Sequence, residues 1–207
     1  MSHIRKDYVL ERLVIVSPNE KKISGSKKCA YCPGNESMTN PSILSLVAKG
    51  GMLQRLQDSE DDYVENWTVR VFESTFPAVS TSAENSYTER PLYTEPAYGY
   101  HYIVVSSPKH EDTLASIDIE QWSNVLVVIQ DRLRWLYTQR GVTYVSIFVN
   151  HGQESGSDIN HSHVNMVSFS NIPPLIEEEA DASHKILNEK GVCPMCQTVN
   201  TETGGPR

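Results

Sequence analysis

The chain has no run of about 18 consecutive apolar residues, which leaves it without a candidate transmembrane helix. Its first apolar stretch, within "MSHIRKDYVLERLVIV", is broken by charges, so a secretory signal is not expected either, and the expected compartment is the cytoplasm. Basic residues are also few. Lys and Arg number 18 against 26 Asp and Glu, giving a net charge of −8, and they are scattered rather than clustered. A nucleic-acid backbone is therefore excluded as the expected partner, whereas a small phosphate ester is not. Cysteine is scarce, four in 207 residues, too few for a disulfide scaffold. All four fall in two Cys-x-x-Cys pairs, Cys29/Cys32 and Cys193/Cys196, a usage that in a reducing compartment points to metal binding, with zinc the first candidate.

The length suits one good core, or two small ones. Residues 8 to 16, "YVLERLVIV", read as a strand or strand pair. "CAYCPGNE" reads as a turn in which Pro33 and Gly34 stop any regular element, so that Cys29 and Cys32 sit on a knuckle. A short helical pattern is expected around Ile43, Leu44, Leu46 and Val47, followed by a solvated acidic connector, "DSEDDYVE". "WTVRVF" and "HYIVVS" are strand-like, with a long polar excursion from Ser80 to Gly99 between them. Ser116 to Gly141 shows the strongest helical period. Its stripe of Ile119, Trp122, Val125, Leu126, Ile129, Leu133, Leu136 and Tyr137 is expected in the core, with Asp118 and Gln121 forming a capping box. "TYVSIFVN" and "VNMVSFS" follow as strands. The order predicts an α+β fold, an antiparallel sheet with a long helix on one face.

Between the last two strands lies "NHGQESGSDINHSHVN", residues 150 to 165. If the second strand starts near Asn160, alternation puts His161, His163 and Asn165 on one face. Such a His-x-His also suits a strand edge with two solvated imidazoles. The loop before it, carrying Gly152, Ser155, Gly156 and Ser157, suggests more, because glycine-rich backbone can aim N–H groups at phosphate oxygens. A neutral imidazole beside such a cradle can attack phosphorus at pH 7, splitting one transfer into two.

"CAYCPGNE", "WTVRVFESTFPAV", "SPKH", "YVSIFVNHGQESGSDINHSHVN" and "GVCPMC" together resemble, in order and spacing, galactose-1-phosphate uridylyltransferases, a branch of the histidine-triad superfamily. The resemblance implies that His163 is the nucleophile taking a nucleotidyl group, and that His161 joins Cys29, Cys32 and His110 in a closed Cys₂His₂ structural zinc site. It implies that Asn150, Gly152, Gly156 and Ser157 wrap the α-phosphate, and that Asn165 stands where the family holds the phosphoryl group with Gln. His151 acquires no role. Other departures fall on the substrate side: Asp158 replaces a serine near the phosphate, "NEKK" (residues 19–22) replaces an arginine pair, and Ser74 replaces the asparagine of the uridine-contacting segment.

The implied reaction moves a nucleoside monophosphate between a nucleoside diphosphate sugar and a sugar 1-phosphate, in a homodimer. Two other readings stand beside it: a nucleoside diphosphate sugar phosphorylase or dinucleotide-cleaving relative, and a catalytically weak zinc-stabilised nucleotide-binding domain. The family is built from two histidine-triad-like halves. Residues 1–190 match the first, and 191–207 read as the start of a second or as a disordered tail, leaving Cys193 and Cys196 as metal ligands or a free dithiol.

Overall fold

The computed structural model describes residues 2–10, 12–17, 28–60, 62–83, 88, 93–157 and 159–205. Asp158 and the "NEKK" segment lie outside them, as does part of the excursion after Ser80. The fold is α+β, as expected. Its centre is a six-stranded sheet in the order β4-β3-β5-β7-β9-β8, antiparallel at every pairing. The strands are β3 (Ser42–Lys49), β4 (Met52–Leu56), β5 (Trp67–Glu73), β7 (His101–Val105), β8 (Tyr144–Phe148) and β9 (His163–Phe169). A smaller antiparallel sheet, β2-β1-β6, is made by β1 (His3–Lys6), β2 (Leu13–Val16) and β6 (Thr94–Pro96). Of the strand pair expected in "YVLERLVIV", β2 lies within that stretch, whereas β1 lies before it. Tyr8 to Leu10 form the turn between them, where the Asp7 carboxylate accepts the Val9 and Leu10 amides.

The helix expected around Ile43, Leu44, Leu46 and Val47 is instead β3, which turns into β4 through Gly50 and Gly51, both at positive φ (60° and 76°). Two such residues in a two-residue connection make the tight hairpin turn that matches strand twist. The misleading spacing has a physical origin. β3 is covered on both faces, with Leu44 and Leu46 in one apolar cluster and Val47 in another across a register shift, so its apolar residues are nearly continuous and imitate a helical stripe.

The long helix is α1 (Ile119–Leu136). Asp118 caps it by accepting the Gln121 amide (2.8 Å), but the Gln121 side chain does not close the box. It donates to the carbonyls of Thr68 (2.8 Å) and Ser106 (2.6 Å), pinning the helix start to β5 and to the residue after β7. The buried stripe of α1 is narrower than expected. Val125, Val128, Ile129 and Leu136 are buried, with Trp122 and Leu133 packed against them, while Ile119, Leu126 and Tyr137 face outward. This stripe covers the sheet face that carries Val69, Val71, Tyr102, Val104, Val164 and Met166. Directly paired residues share a face, so the opposite side carries Phe72, Ile103 and Asn165 in one row and Arg70, Val105 and His163 in the next. The sheet thus separates a helix-packed side from the side that bears the polar site.

Gly99 fixes where β7 begins. A Cβ there would lie 2.0 Å from the Ser168 carbonyl oxygen, so only glycine lets the chain pass under the end of β9 and deliver His101 to the sheet. Two further helices, α2 (Pro174–Lys190) and α3 (Pro194–Glu202), bury no residue, which accounts for the weak sequence signal that left them unanticipated. Among the described residues no helix is long and apolar enough to cross a membrane.

The acidic connector contains a buried ion. Asp58 accepts from the Arg70 guanidinium (2.8 Å), from the Ser42 amide (2.7 Å) and from the Val64 amide (2.9 Å), and both side chains of the pair are almost wholly buried. Burial pushes the carboxyl pKa up, but the backbone amides and Arg70 outweigh it and hold it below its ordinary value. Removing one partner strands a buried charge. Asp58→Ala is expected to cost about 3–5 kcal/mol in denaturant unfolding. Because folding depresses this pKa, the wild-type contribution is complete above the ordinary carboxylate range and is lost as pH falls through the folded value, so the variant's unfolding midpoint should be less sensitive to acid than the wild type's.

Candidate active site and metal centre

Three chain segments meet on the polar side of the sheet. The first is the knuckle at residues 29–35, a tight turn in which the Cys32 and Asn35 amides close on the carbonyls of Cys29 and Cys32 and the Asn35 side chain donates to the Cys29 carbonyl (2.9 Å). Glu36 anchors it. Its buried carboxylate accepts the Gly34 amide (2.8 Å) and the Trp67 indole N–H (2.9 Å), fastening the knuckle to β5. The second is the loop after β7, where the Ser107 hydroxyl bonds Asp112 (2.5 Å) and accepts the Lys109 amide (3.2 Å), shaping the turn that presents His110. The third is the entry to β9. The strand begins at His163, so His161 stands just before the ladder.

These segments bring Cys29, Cys32, His110 and His161 together, their ligand atoms all within 4.8 Å of one another. His161 Nδ1 lies 3.7 Å from Cys29 Sγ and 3.5 Å from Cys32 Sγ, and His110 Nδ1 lies 3.4 Å from Cys32 Sγ. A tetrahedral zinc ion, with Zn–S of about 2.3 Å and Zn–N of about 2.0–2.1 Å, separates its sulfur and nitrogen ligands by about 3.5 Å. The four residues therefore fit a metal such as zinc. The His161 tautomer agrees, because Nε2 lies 2.7 Å from the Ser107 carbonyl, which can only accept. The proton is then on Nε2 and the lone pair on Nδ1 faces the thiols, the usual support of a ligating histidine. Burial, aided by the nearby His110 and His163 rings, holds the His161 pKa below its ordinary value against the opposing Ser107 carbonyl, so the ring keeps the neutral form that ligates. Burial and the neighbouring Cys29 push the Cys32 thiol up to about 11. The Cys32 thiol therefore keeps its proton until a cation takes up the charge.

His163 is buried next to this cluster. Its Nδ1 lies 2.8 Å from the His161 carbonyl oxygen, so Nδ1 carries the proton and a neutral ring has its lone pair on Nε2. Tyr31, one of the two residues between the cysteines, packs edge-to-face with His163, centroids 5.2 Å apart. Two residues further along β9, Asn165 meets His101, with His101 Nε2 3.2 Å from Asn165 Oδ1. Tyr31, Glu36 and His101 were passed over in the sequence. The first two lie inside the quoted "CAYCPGNE", and His101 looked like nothing more than the first residue of a strand.

Asn150, Gly152, Gly156 and Ser157 lie on the loop joining β8 to β9. The amides of Ser155, Gly156 and Ser157 close on the carbonyls of Gly152 and Gln153, and the Ser157 hydroxyl donates to the Ile159 carbonyl (2.8 Å). In this conformation those N–H groups are turned to the loop itself, and holding a phosphate would require the turn to release them. Ser74, just past β5, donates its amide to the His101 carbonyl (2.8 Å), so the segment it opens runs beside His101.

Residues 51–173 match the family model described as the galactose-1-phosphate uridyl transferase N-terminal domain. The chain belongs to this family. An ADP-glucose phosphorylase of Arabidopsis thaliana is 26% identical over 94% of the chain and 56% of its own length. A galactose-1-phosphate uridylyltransferase of Thermotoga maritima is 28% identical over 67% of the chain and 44% of its own length. The crystal structure of an Arabidopsis thaliana ADP-glucose phosphorylase with bound ADP-glucose superposes with a TM-score of 0.67 at 26% identity, over 95% of this chain and 58% of that one. A uridylyltransferase structure at 23% identity, with a TM-score of 0.72 over 97% of this chain and 56% of the other, shows the same fold. The chain spans about half the length of these relatives.

For this family member, metal removal tests the cluster. The protein is expected to carry one equivalent of tightly held metal by elemental analysis, to lose it to chelator with a fall in melting temperature, and to lose it constitutively in Cys32→Ser, since ligand binding contributes folding free energy. An unchanged melting curve in metal-free protein would count against a structural ion here.

Proposed function

We propose that the chain is a nucleotidyltransferase in which His163 carries a nucleoside monophosphate between a nucleoside diphosphate sugar and a phosphate-bearing acceptor. The observation supporting this reading most directly is the 2.8 Å bond from His163 Nδ1–H to the His161 carbonyl, which directs the lone pair to Nε2. Nε2 attacks the α-phosphorus, a P–N bond forms, and the bond from the α-phosphorus to the bridging oxygen breaks. The electron pair leaves with the sugar 1-phosphate. The ring becomes a nucleotidyl imidazolium whose positive charge is drawn toward the His161 carbonyl dipole. A phosphate oxygen of the acceptor then attacks the same phosphorus and His163 departs with its lone pair restored. Asn165 supplies amide N–H donors for the phosphoryl oxygens, in the place of the family's longer Gln. Asn150, Gly152, Gly156 and Ser157 lie on the loop available to the α-phosphate.

In this reading zinc occupies the Cys29, Cys32, His110 and His161 set. It supplies structure rather than reaction chemistry, because four protein ligands leave no open position. The acceptor defines two versions of the activity. A sugar 1-phosphate makes the protein a uridylyltransferase-type enzyme, and inorganic phosphate makes it a phosphorylase, the version favoured by the match over 94% of the chain to an ADP-glucose phosphorylase.

Initial rates with UDP-glucose or ADP-glucose as donor, and galactose 1-phosphate or inorganic phosphate as acceptor, test the scheme. Parallel double-reciprocal lines are expected, along with exchange of labelled glucose 1-phosphate into the donor when no acceptor is present. His163→Ala should lower kcat by on the order of 10⁴-fold or more, as for the loss of a covalent nucleophile. Intersecting lines without exchange would contradict the covalent scheme, and the acceptor that supports turnover selects the version.

A further inference from the structure

His101 takes part in two hydrogen bonds whose directions are linked. The Ala78 backbone amide lies 3.1 Å from His101 Nδ1, and a backbone N–H can only donate, so Nδ1 must accept. In the neutral ring the proton is then on Nε2. That nitrogen lies 3.2 Å from Asn165 Oδ1 and donates to it. The orientation of the Asn165 amide follows: its oxygen is turned to His101, and its Nδ2 with two N–H donors is turned the other way. Among the described residues Asn165 Nδ2 has no protein partner, and Asn165 is on the same sheet face as His163, one step along β9.

We propose that His101 is a positioning residue, which holds the Asn165 amide so that its N–H donors, rather than its carbonyl, meet an anionic phosphoryl oxygen of the substrate at His163. An amide rotated by half a turn would aim an acceptor at that anion, and the interaction would become repulsive. An asparagine needs such a support more than a glutamine-length side chain that can adjust its own reach, because with one methylene fewer the shorter amide depends on its surroundings for direction. The same residue ties the site to residues 74–78 through its ring and its carbonyl. Ala78 sets its tautomer, and the Ser74 amide donates to the His101 carbonyl, so a displacement of that segment is felt at Asn165.

The proposal rests on the assignment of His163 as nucleophile, and two experiments on the full chain separate the two claims. Nitrogen-15 NMR of the histidine rings reads the tautomer without any turnover. His101 is expected to be protonated on Nε2 and bare on Nδ1 at neutral pH, and either an Nδ1–H or a doubly protonated ring would overturn the arrangement. In rapid-quench measurement of nucleotidyl transfer to the protein, His101→Leu is expected to slow the step about 10- to 100-fold with little change in donor KM, the usual scale for loss of a residue that orients another. His101→Gln, which keeps a donor at the ε position, should recover most of the rate. In the Asn165→Ala background His101→Leu should have almost no further effect. Additive losses in that double variant, or a loss in KM alone, would overturn the positioning role. If the wild-type chain forms no nucleotidyl adduct at all, the nucleophile assignment fails, and the NMR result still decides the His101–Asn165 geometry.

Discussion

One imidazole, that of His161, joins everything the site requires. It is fully buried, its Nε2 is spent on the Ser107 carbonyl, its Nδ1 faces two thiols of the knuckle, and its own carbonyl receives the His163 ring. Three stretches far apart in sequence are therefore fixed to one another through a single residue. The position of the proposed nucleophile depends on them, because the carbonyl that orients His163 belongs to a residue of the candidate metal cluster. A metal held here would take no part in the proposed bond changes, yet by fixing His161 it would help determine where the His163 ring points.

The sheet gives this arrangement a rigid floor. One face is committed to α1 through Val125, Val128, Ile129 and Leu136, and the other is left for His163, Asn165 and His101, closed at one side by Trp67, Phe72 and Tyr31 and at the other by the small sheet around Ile4, Val79 and Val167. Polar residues on a face shared with apolar clusters are tolerable only when they are bonded. His161, His163, His101 and Asn165 each have partners whose direction can be traced to a backbone donor or acceptor. The protonation pattern of the site is thus written by main-chain atoms, which no substitution of neighbouring side chains alters directly.

Much of this was legible in the residues. The Cys-x-x-Cys knuckle, His110 and His161 fell together as the resemblance implied, and the α+β architecture with its long helix followed from periodicity. What could not be read depended on long-range contacts. β3 looked helical because both its faces are covered. Asp58 looked like one more solvated acid because its partner Arg70 lies further along the chain, on β5, and Ile119, Leu126 and Tyr137 lie together on one flank of the helical stripe, where only the packed sheet decides how wide the buried face is. His101 carried no signal, since a histidine opening a strand acquires meaning only when Ala78 and Asn165 are seen on either side of it. The phosphate loop is a different matter. Its glycines and serines suggested a cradle, and they are present on a loop whose amides are turned inward on itself.

The central claim is that His163 becomes covalently nucleotidylated. The direct measurement is the intact mass of the chain after mixing with UDP-glucose or ADP-glucose and quenching in base, which preserves a P–N bond, followed by peptide mapping. The account expects a stoichiometric gain of one nucleoside monophosphate residue on His163, discharged on addition of sugar 1-phosphate or inorganic phosphate. Turnover without any adduct, or an adduct carried by another residue such as His151, would contradict it.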